Sequence, residues 1–168
     1  MSAGQLQVAE REGLAVLRLQ GELRHLLADA LERSIELQLR PGLRQLVIDL
    51  ERASFMDSTV IGMLVLAARR SHALGAPLPL LLCPDGDLWQ QLVELRLDTL
   101  FQRVDAAPVA LPETTGLAID EILDPGAQAA LVLKAHRALC QHDPHNAAQF
   151  AALIAMLEAE IDSAQKPG

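Results

Sequence analysis

Leu46-Val47-Ile48-Asp49-Leu50 and, seven positions on from Asp49, Met56-Asp57-Ser58-Thr59-Val60-Ile61-Gly62 are the stretches that decide the fold. The first is an apolar run of strand length, the pattern of a strand covered on both faces. The second opens a helical pattern over residues 60–70, with Ile61, Leu64, Val65 and Ala68 turned inward. Arg69 and Arg70 fall toward its end, where cations suit the helix dipole. Asp57 is the predicted N-cap, because its carboxylate can accept from the orphan N–H groups of a first turn. Ser58 and Thr59 therefore stand where a buried strand hands over to a helix. Such a place is open to a protein kinase and lies beside backbone N–H groups that tolerate a phosphate.

Working outward, residues 5–23 read as two strands. Leu6, Val8 and Ala9 precede a turn at Arg11-Glu12-Gly13, and Leu14-Ala15-Val16-Leu17-Arg18-Leu19 runs on to a stop at Gly21. Residues 26–39 carry Leu27, Ala30, Leu31, Ile35 and Leu39 at helical spacing, closed by Arg40-Pro41-Gly42. Beyond the central helix, Gly75 is a C-cap candidate and residues 78–83 form another buried strand. Pro84-Asp85-Gly86-Asp87 leads into a helix with Leu88, Leu92, Val93 and Leu95, and residues 100–104 make a short edge strand. Alternating strands and helices with short connections predict an α/β sheet domain over residues 1–106.

Composition then shifts. Residues 107–124, with Pro108, Pro112, Thr114, Thr115 and Gly116, read as a linker with a helical turn over residues 117–123. Asp124-Pro125 and Asp143-Pro144 each set a capping Asp before Pro at a first helical position. Leu131, Ala135, Ala138 and Leu139 make one stripe, and Ala147, Phe150, Ile154, Leu157 and Ile161 another. The prediction is an antiparallel α-helical hairpin over residues 125–163, bent at residues 141–144. Residues 1–106 hold 11 basic and 14 acidic side chains against 3 and 8 in residues 107–168, so the acidity is concentrated in the tail.

The bulk numbers exclude several classes of function. With 168 residues, 51% of them apolar, the chain can bury one sizeable core and carry an appendage. Three Phe, one Trp and no Tyr leave no aromatic platform for bases, and a net charge of −8 repels phosphate backbones. Nucleic acid is not an expected partner; a basic patch on another protein suits the charge better. Cys83 and Cys140 stand apart without CxxC neighbours, which fits a reducing cytoplasm. The opening Met1-Ser2-Ala3-Gly4-Gln5 has no signal-peptide pattern, and the apolar runs 60–68 and 76–83 are short of a membrane span. A cytoplasmic location, without membrane contact, is expected.

The element order of residues 5–105, with the Asp-Ser-Thr-x-x-Gly motif at Asp57-Ser58-Thr59-Val60-Ile61-Gly62, resembles the STAS domain. More narrowly it resembles the anti-sigma factor antagonists of bacterial partner-switching systems. The Gly21-Glu22-Leu23 turn after the second strand and the approach through residues 95–101 to the last strand fit as well. The resemblance implies a STAS-type mixed sheet with helices, followed here by the helical hairpin. It implies phosphorylation at Ser58, with Thr59 second, by a serine-protein kinase that is often the anti-sigma factor itself, and reversal by a PP2C-type phosphatase. Many members of the family carry Gly where this chain has Val60. Asp57 would orient the loop; Val60, Ile61, Gly62 and Met63 would line the docking face with Ser58 and Thr59, and Glu22 would touch the partner from the neighbouring turn. The tail resembles helical extensions of members that serve secretion, motility or biofilm regulation, and offers a second partner or self-association surface. The alternative within the family is an accessory subunit of a lipid-transport ABC complex, with the motif a static contact to an ATPase.

No enzyme, cofactor or metal is expected. Ser58 beside Asp57 lacks a G-x-S-x-G elbow, and His25 and His72 have no evident route to it. Cys83 is followed by Pro84 and has no basic neighbour in sequence to lower its pKa. His136, Cys140, His142 and His145 have the composition of a zinc site, but read more simply as a solvated helix end with a small buried cysteine. Trp89 is expected at a helix–sheet boundary.

Overall fold

The fold starts from a hairpin, seen in a computed structural model that describes residues 2–119 and 124–166. β1 (Gln5–Arg11) and β2 (Leu14–Leu23) pair antiparallel across Glu12 and Gly13, whose φ angles are +53° and +83°. Two left-handed residues match the twist of the flanking strands, and Gly13 reaches that region without a Cβ penalty. β3 (Gln45–Asp49), β5 (Leu80–Leu82) and β6 (Gln102–Val104) then add in parallel, in the order β6-β5-β3-β2-β1. Parallel neighbours need crossovers, supplied by helices α1 (Ala28–Gln38), α2 (Ser58–Ala73) and α3 (Asp87–Glu94).

Alternation along β3 divides the interior. Leu46 and Ile48 join the main core under the helices, whereas Val47 turns to the opposite face with Ala9, Val16 and Leu82. No helix covers that second face among the described residues; Ala107 and Leu111 pack on it instead. Residues expected only to link thus close the back of the sheet. Thr115–Gly116 forms a further short strand, β7, antiparallel to β1. Of the helical turn expected over residues 117–123, positions 117–119 are not helical and the Leu117 N–H donates to the Leu6 carbonyl; residues 120–123 lie outside the described residues.

Two details correct the sequence reading around Ser58. Gly21-Glu22-Leu23 is not a turn, because β2 runs through it and changes partner, pairing β3 along Leu14–Arg18 and β4 (Ala53–Met56) beyond a register break at Gly21. Gly21 sits at φ +79°, where a Cβ would lie 2.6 Å from the Ala3 carbonyl oxygen. β4 itself was not anticipated. Its sequence lacks an apolar run, and it exists because β2 extends past β3 and offers an edge.

The tail folds as two helices, α4 (Pro125–His142) and α5 (Pro144–Gln165), with Asp143 alone between them. Asp124 accepts from the Ala127 N–H at 3.0 Å and Asp143 from the His145 N–H at 2.8 Å, each with Pro following at the first helical position. The helices run antiparallel, tied by Arg137 and Glu158 at 2.9 Å. Leu131, Ala135, Ala138, Leu139 and Phe150 join the main core, continuous with α1–α3.

Candidate functional site

Ser58 is the first residue of α2, and the chain before it fixes its place. The Asp57 N–H donates to the Leu23 carbonyl at 2.9 Å, and Met56 is fully buried at the end of β4. Asp57 Oδ1 accepts from the Val60 N–H at 3.0 Å, which makes it the N-cap of α2 as expected. Its Oδ2 accepts from the His25 N–H at 2.7 Å and so fastens the 3-10 turn His25–Leu27 to the start of α2. With the cap supplied by Asp57, the Ser58 hydroxyl is not needed by the helix backbone.

That hydroxyl meets His136 of α4. Ser58 Oγ and His136 Nε2 are 2.8 Å apart, and His136 Nδ1 lies 2.7 Å from the Val132 carbonyl oxygen. With Nδ1–H donating to that carbonyl, Nε2 is the ring atom left to pair with the hydroxyl. The ring is 1% exposed and Phe150 stands edge-on to it at 5.1 Å. Four residues along α2, Gly62 faces the backbone of Ala135: a Cβ added there would fall 2.6 Å from the Ala135 carbonyl carbon and 2.8 Å from its Cα. Further on, Arg69 donates to the Ala138 carbonyl and to Gln141 Oε1, both at 3.0 Å. The expected dipole role of Arg69 is accordingly joined by a tie to α4.

The other residues singled out in sequence are placed as follows. Thr59 is 4% exposed, and Val60, Ile61 and Met63 are fully enclosed. Gly62 is covered by α4, so none of the four positions 60–63 is open to solvent in this arrangement. Glu22 lies on β2, half-buried, 3.6 Å from Arg24. Arg24 stacks over Phe55 at 4.5 Å, making a partly exposed rim beside the Asp57 cap. Trp89 packs partly buried against the main core, with Arg103 over its ring at 5.6 Å.

His136 is where the sequence reading needs correction. Expected at a solvated helix end with His142 and His145, it is instead buried against Ser58, because α4 turns that face onto α2. The four residues with zinc-like composition diverge: Cys140 Sγ points to the Asn146 carbonyl at 3.6 Å and His142 Nε2 to the Arg96 carbonyl at 2.6 Å. No cluster of three metal-ligating side chains occurs among the described residues. A serine–histidine hydrogen bond is also the core of a nucleophilic dyad. The Asp57 carboxylate, however, takes the Val60 and His25 N–H groups, and the ring's Nδ1 faces the Val132 carbonyl and not a carboxylate. Burial pushes the Cys83 thiol above its ordinary value; Arg103, close in space though distant in sequence, partly opposes this and Asp85 adds to it. Cys140 is also raised by burial. Gly62, a glycine inside a helix, was the one sequence signal that another backbone comes close.

No helix among the described residues is long and apolar enough to cross a membrane. Residues 5–107 match the STAS domain family. Among solved structures, the anti-sigma factor antagonist SpoIIAA in its unphosphorylated form is 24% identical over 62% of this chain and 90% of that chain, with a TM-score of 0.50. The antisigma-factor antagonist STAS domain from Rhodobacter sphaeroides is 19% identical over 45% of this chain and 83% of its own, at a TM-score of 0.38. The Bacillus cell fate determinant SpoIIAA in the phosphorylated form is 21% identical over 59% and 90%, at 0.43. The first of these likenesses is one of fold. The family match covers β1–β6, α1–α3 and the Asp57–Ser58 junction and stops before β7 and α4: the chain belongs to the STAS-domain family.

Proposed function

We propose that this chain is an anti-sigma factor antagonist in a partner-switching pathway. It binds an anti-sigma factor that is also a serine kinase, or an analogous regulator, when Ser58 is unmodified, and lets go when Ser58 carries phosphate. The observation that carries this reading is the Ser58 hydroxyl at the first position of α2, left over by the helix because Asp57 already provides the cap. Ser58 is favoured over Thr59 because Thr59 is buried and Ser58 only half so.

The switch works through charge. A phosphate adds about −1.5 to −2 charges. At a helix N-terminus the dipole favours an anion by about 0.3–1 kcal/mol, so the domain keeps its fold. A partner that buries the neutral hydroxyl beside Asp57 instead meets an unpaired dianion. Leaving that charge uncompensated costs about 3–5 kcal/mol, which weakens binding by roughly two to nearly four orders of magnitude. A PP2C-type phosphatase restores the binding form.

The test is incubation of the full chain with ATP and a GHKL-type serine kinase, followed by intact-mass measurement and site mapping. One phosphoryl group on Ser58 is expected, with Ser58→Ala unmodified and still bound to the kinase, and Ser58→Asp bound poorly while melting close to wild type. Phosphate on Thr59 alone sinks the site assignment. Capture of an ABC-transporter ATPase in place of a kinase overturns the antagonist reading.

A further inference from the structure

The segment of α2 that begins at Ser58 is occupied by the chain's own tail. Three contacts along one stripe hold α4 there: Ser58 to His136, Gly62 to the Ala135 backbone, and Arg69 to Ala138 and Gln141. Two peripheral bonds flank them, Gln128 Nε2 to the His25 carbonyl at 3.0 Å and Lys134 Nζ to Glu32 Oε1 at 2.6 Å. His136 fills the space on that side of the Ser58 oxygen. A kinase active site and a docking regulator need that same oxygen.

We propose that the α4–α5 hairpin is an intramolecular lid on the Ser58 face, which excludes kinase and regulator while docked and is held off by phosphate on Ser58. The inference rests on the reading of Ser58 as the switch. It adds that the free chain is self-occluded and that an external partner must compete with a covalently tethered one, at an effective concentration in the millimolar range for short tethers. The same chemistry governs both occupants. Ser58 Oγ and His136 Nε2 are already in hydrogen-bond contact at 2.8 Å, so a phosphoryl group on Oγ must take space that the imidazole now fills. The ring cannot keep its seat, and α4 leaves. Gly62 makes the seat possible, since any Cβ there must push on the Ala135 backbone rather than on a flexible side-chain tip.

Amide hydrogen exchange on the full chain tests this without kinase or regulator. The samples are wild type, protein with phosphoserine genetically placed at position 58, Gly62→Ala and His136→Ala. The lid predicts that amides of residues 131–140 exchange about tenfold faster or more in all three altered proteins, while β2 and β3 stay within about twofold of wild type. Unchanged protection of α4 in the phosphoserine protein overturns the lid. So does protection carried by a concentration-dependent dimer, in which the hairpin covers a second copy. If Gly62→Ala loosens the strands too, the phosphoserine and His136→Ala proteins decide. A kinase that modifies Ser58 while α4 stays protected removes the lid and leaves the switch standing. A kinase that ignores Ser58 in Gly62→Ala, with α4 shown open, removes the switch.

Discussion

Asp57 and Ser58 are adjacent, yet they serve different masters. Asp57 belongs to the fold, with each carboxylate oxygen taking a backbone N–H, one from Val60 and one from His25. Losing an N-cap costs about 1 kcal/mol, and the His25 bond, near solvent, adds less than a buried one would. Asp57→Ala is therefore expected to lower the unfolding free energy by about 1–2 kcal/mol in urea titrations, with Asp57→Asn losing less because its carbonyl keeps the Val60 bond. A change below about 0.3 kcal/mol would mean that α2 starts without its help. The cap was legible from sequence because it acts over three residues. The Ser58 partner was not, because His136 lies 78 positions away and only packing brings it back.

Among the elements, legibility followed how local the cause is. The starts of α4 and α5 were readable because Asp-Pro combines a capping acceptor with a preset φ, and both events happen within one turn. β4 was hidden because its pairing depends on β2 outlasting β3, which no residue in Ala53–Met56 announces. The apolar stripe of α4 indicated burial without naming the surface it is buried against. The junction of the two tail helices is held by another non-local residue, Asn146. It is fully buried and donates to the Leu95 carbonyl at 2.8 Å and the Leu139 carbonyl at 3.0 Å, while its own Oδ1 finds no partner among the described residues. Asn146→Ala strands both carbonyls and is expected to cost about 2 kcal/mol by chemical denaturation. Asn146→Asp should cost more at neutral pH, since a carboxylate would face two acceptors. Equal stability of Asn146→Ala and wild type would show that water satisfies those carbonyls.

At the scale of the molecule, the question is whether the STAS domain and the hairpin are one cooperative unit. The core runs without a break from Leu46 and Ile48 through α2 to Ala135, Leu139 and Phe150, so docking couples their stabilities. Two probes separate the parts. Trp89, the only tryptophan, sits on α3 and reports on the sheet domain. Far-ultraviolet ellipticity weighs the tail heavily, because α4 and α5, of 18 and 22 residues, outnumber α1, α2 and α3 of 11, 16 and 8. In wild type, urea transitions followed by fluorescence and by ellipticity should coincide. In Gly62→Ala the replacement favours α2 by roughly 1 kcal/mol of helix propensity yet unseats α4, so two opposed effects fall on different parts of the chain. Ellipticity should then begin to fall at lower urea than the Trp89 signal. Coincident curves shifted together to lower urea would mean that α4 is as much a part of the domain as α2, with no separable hairpin to lift.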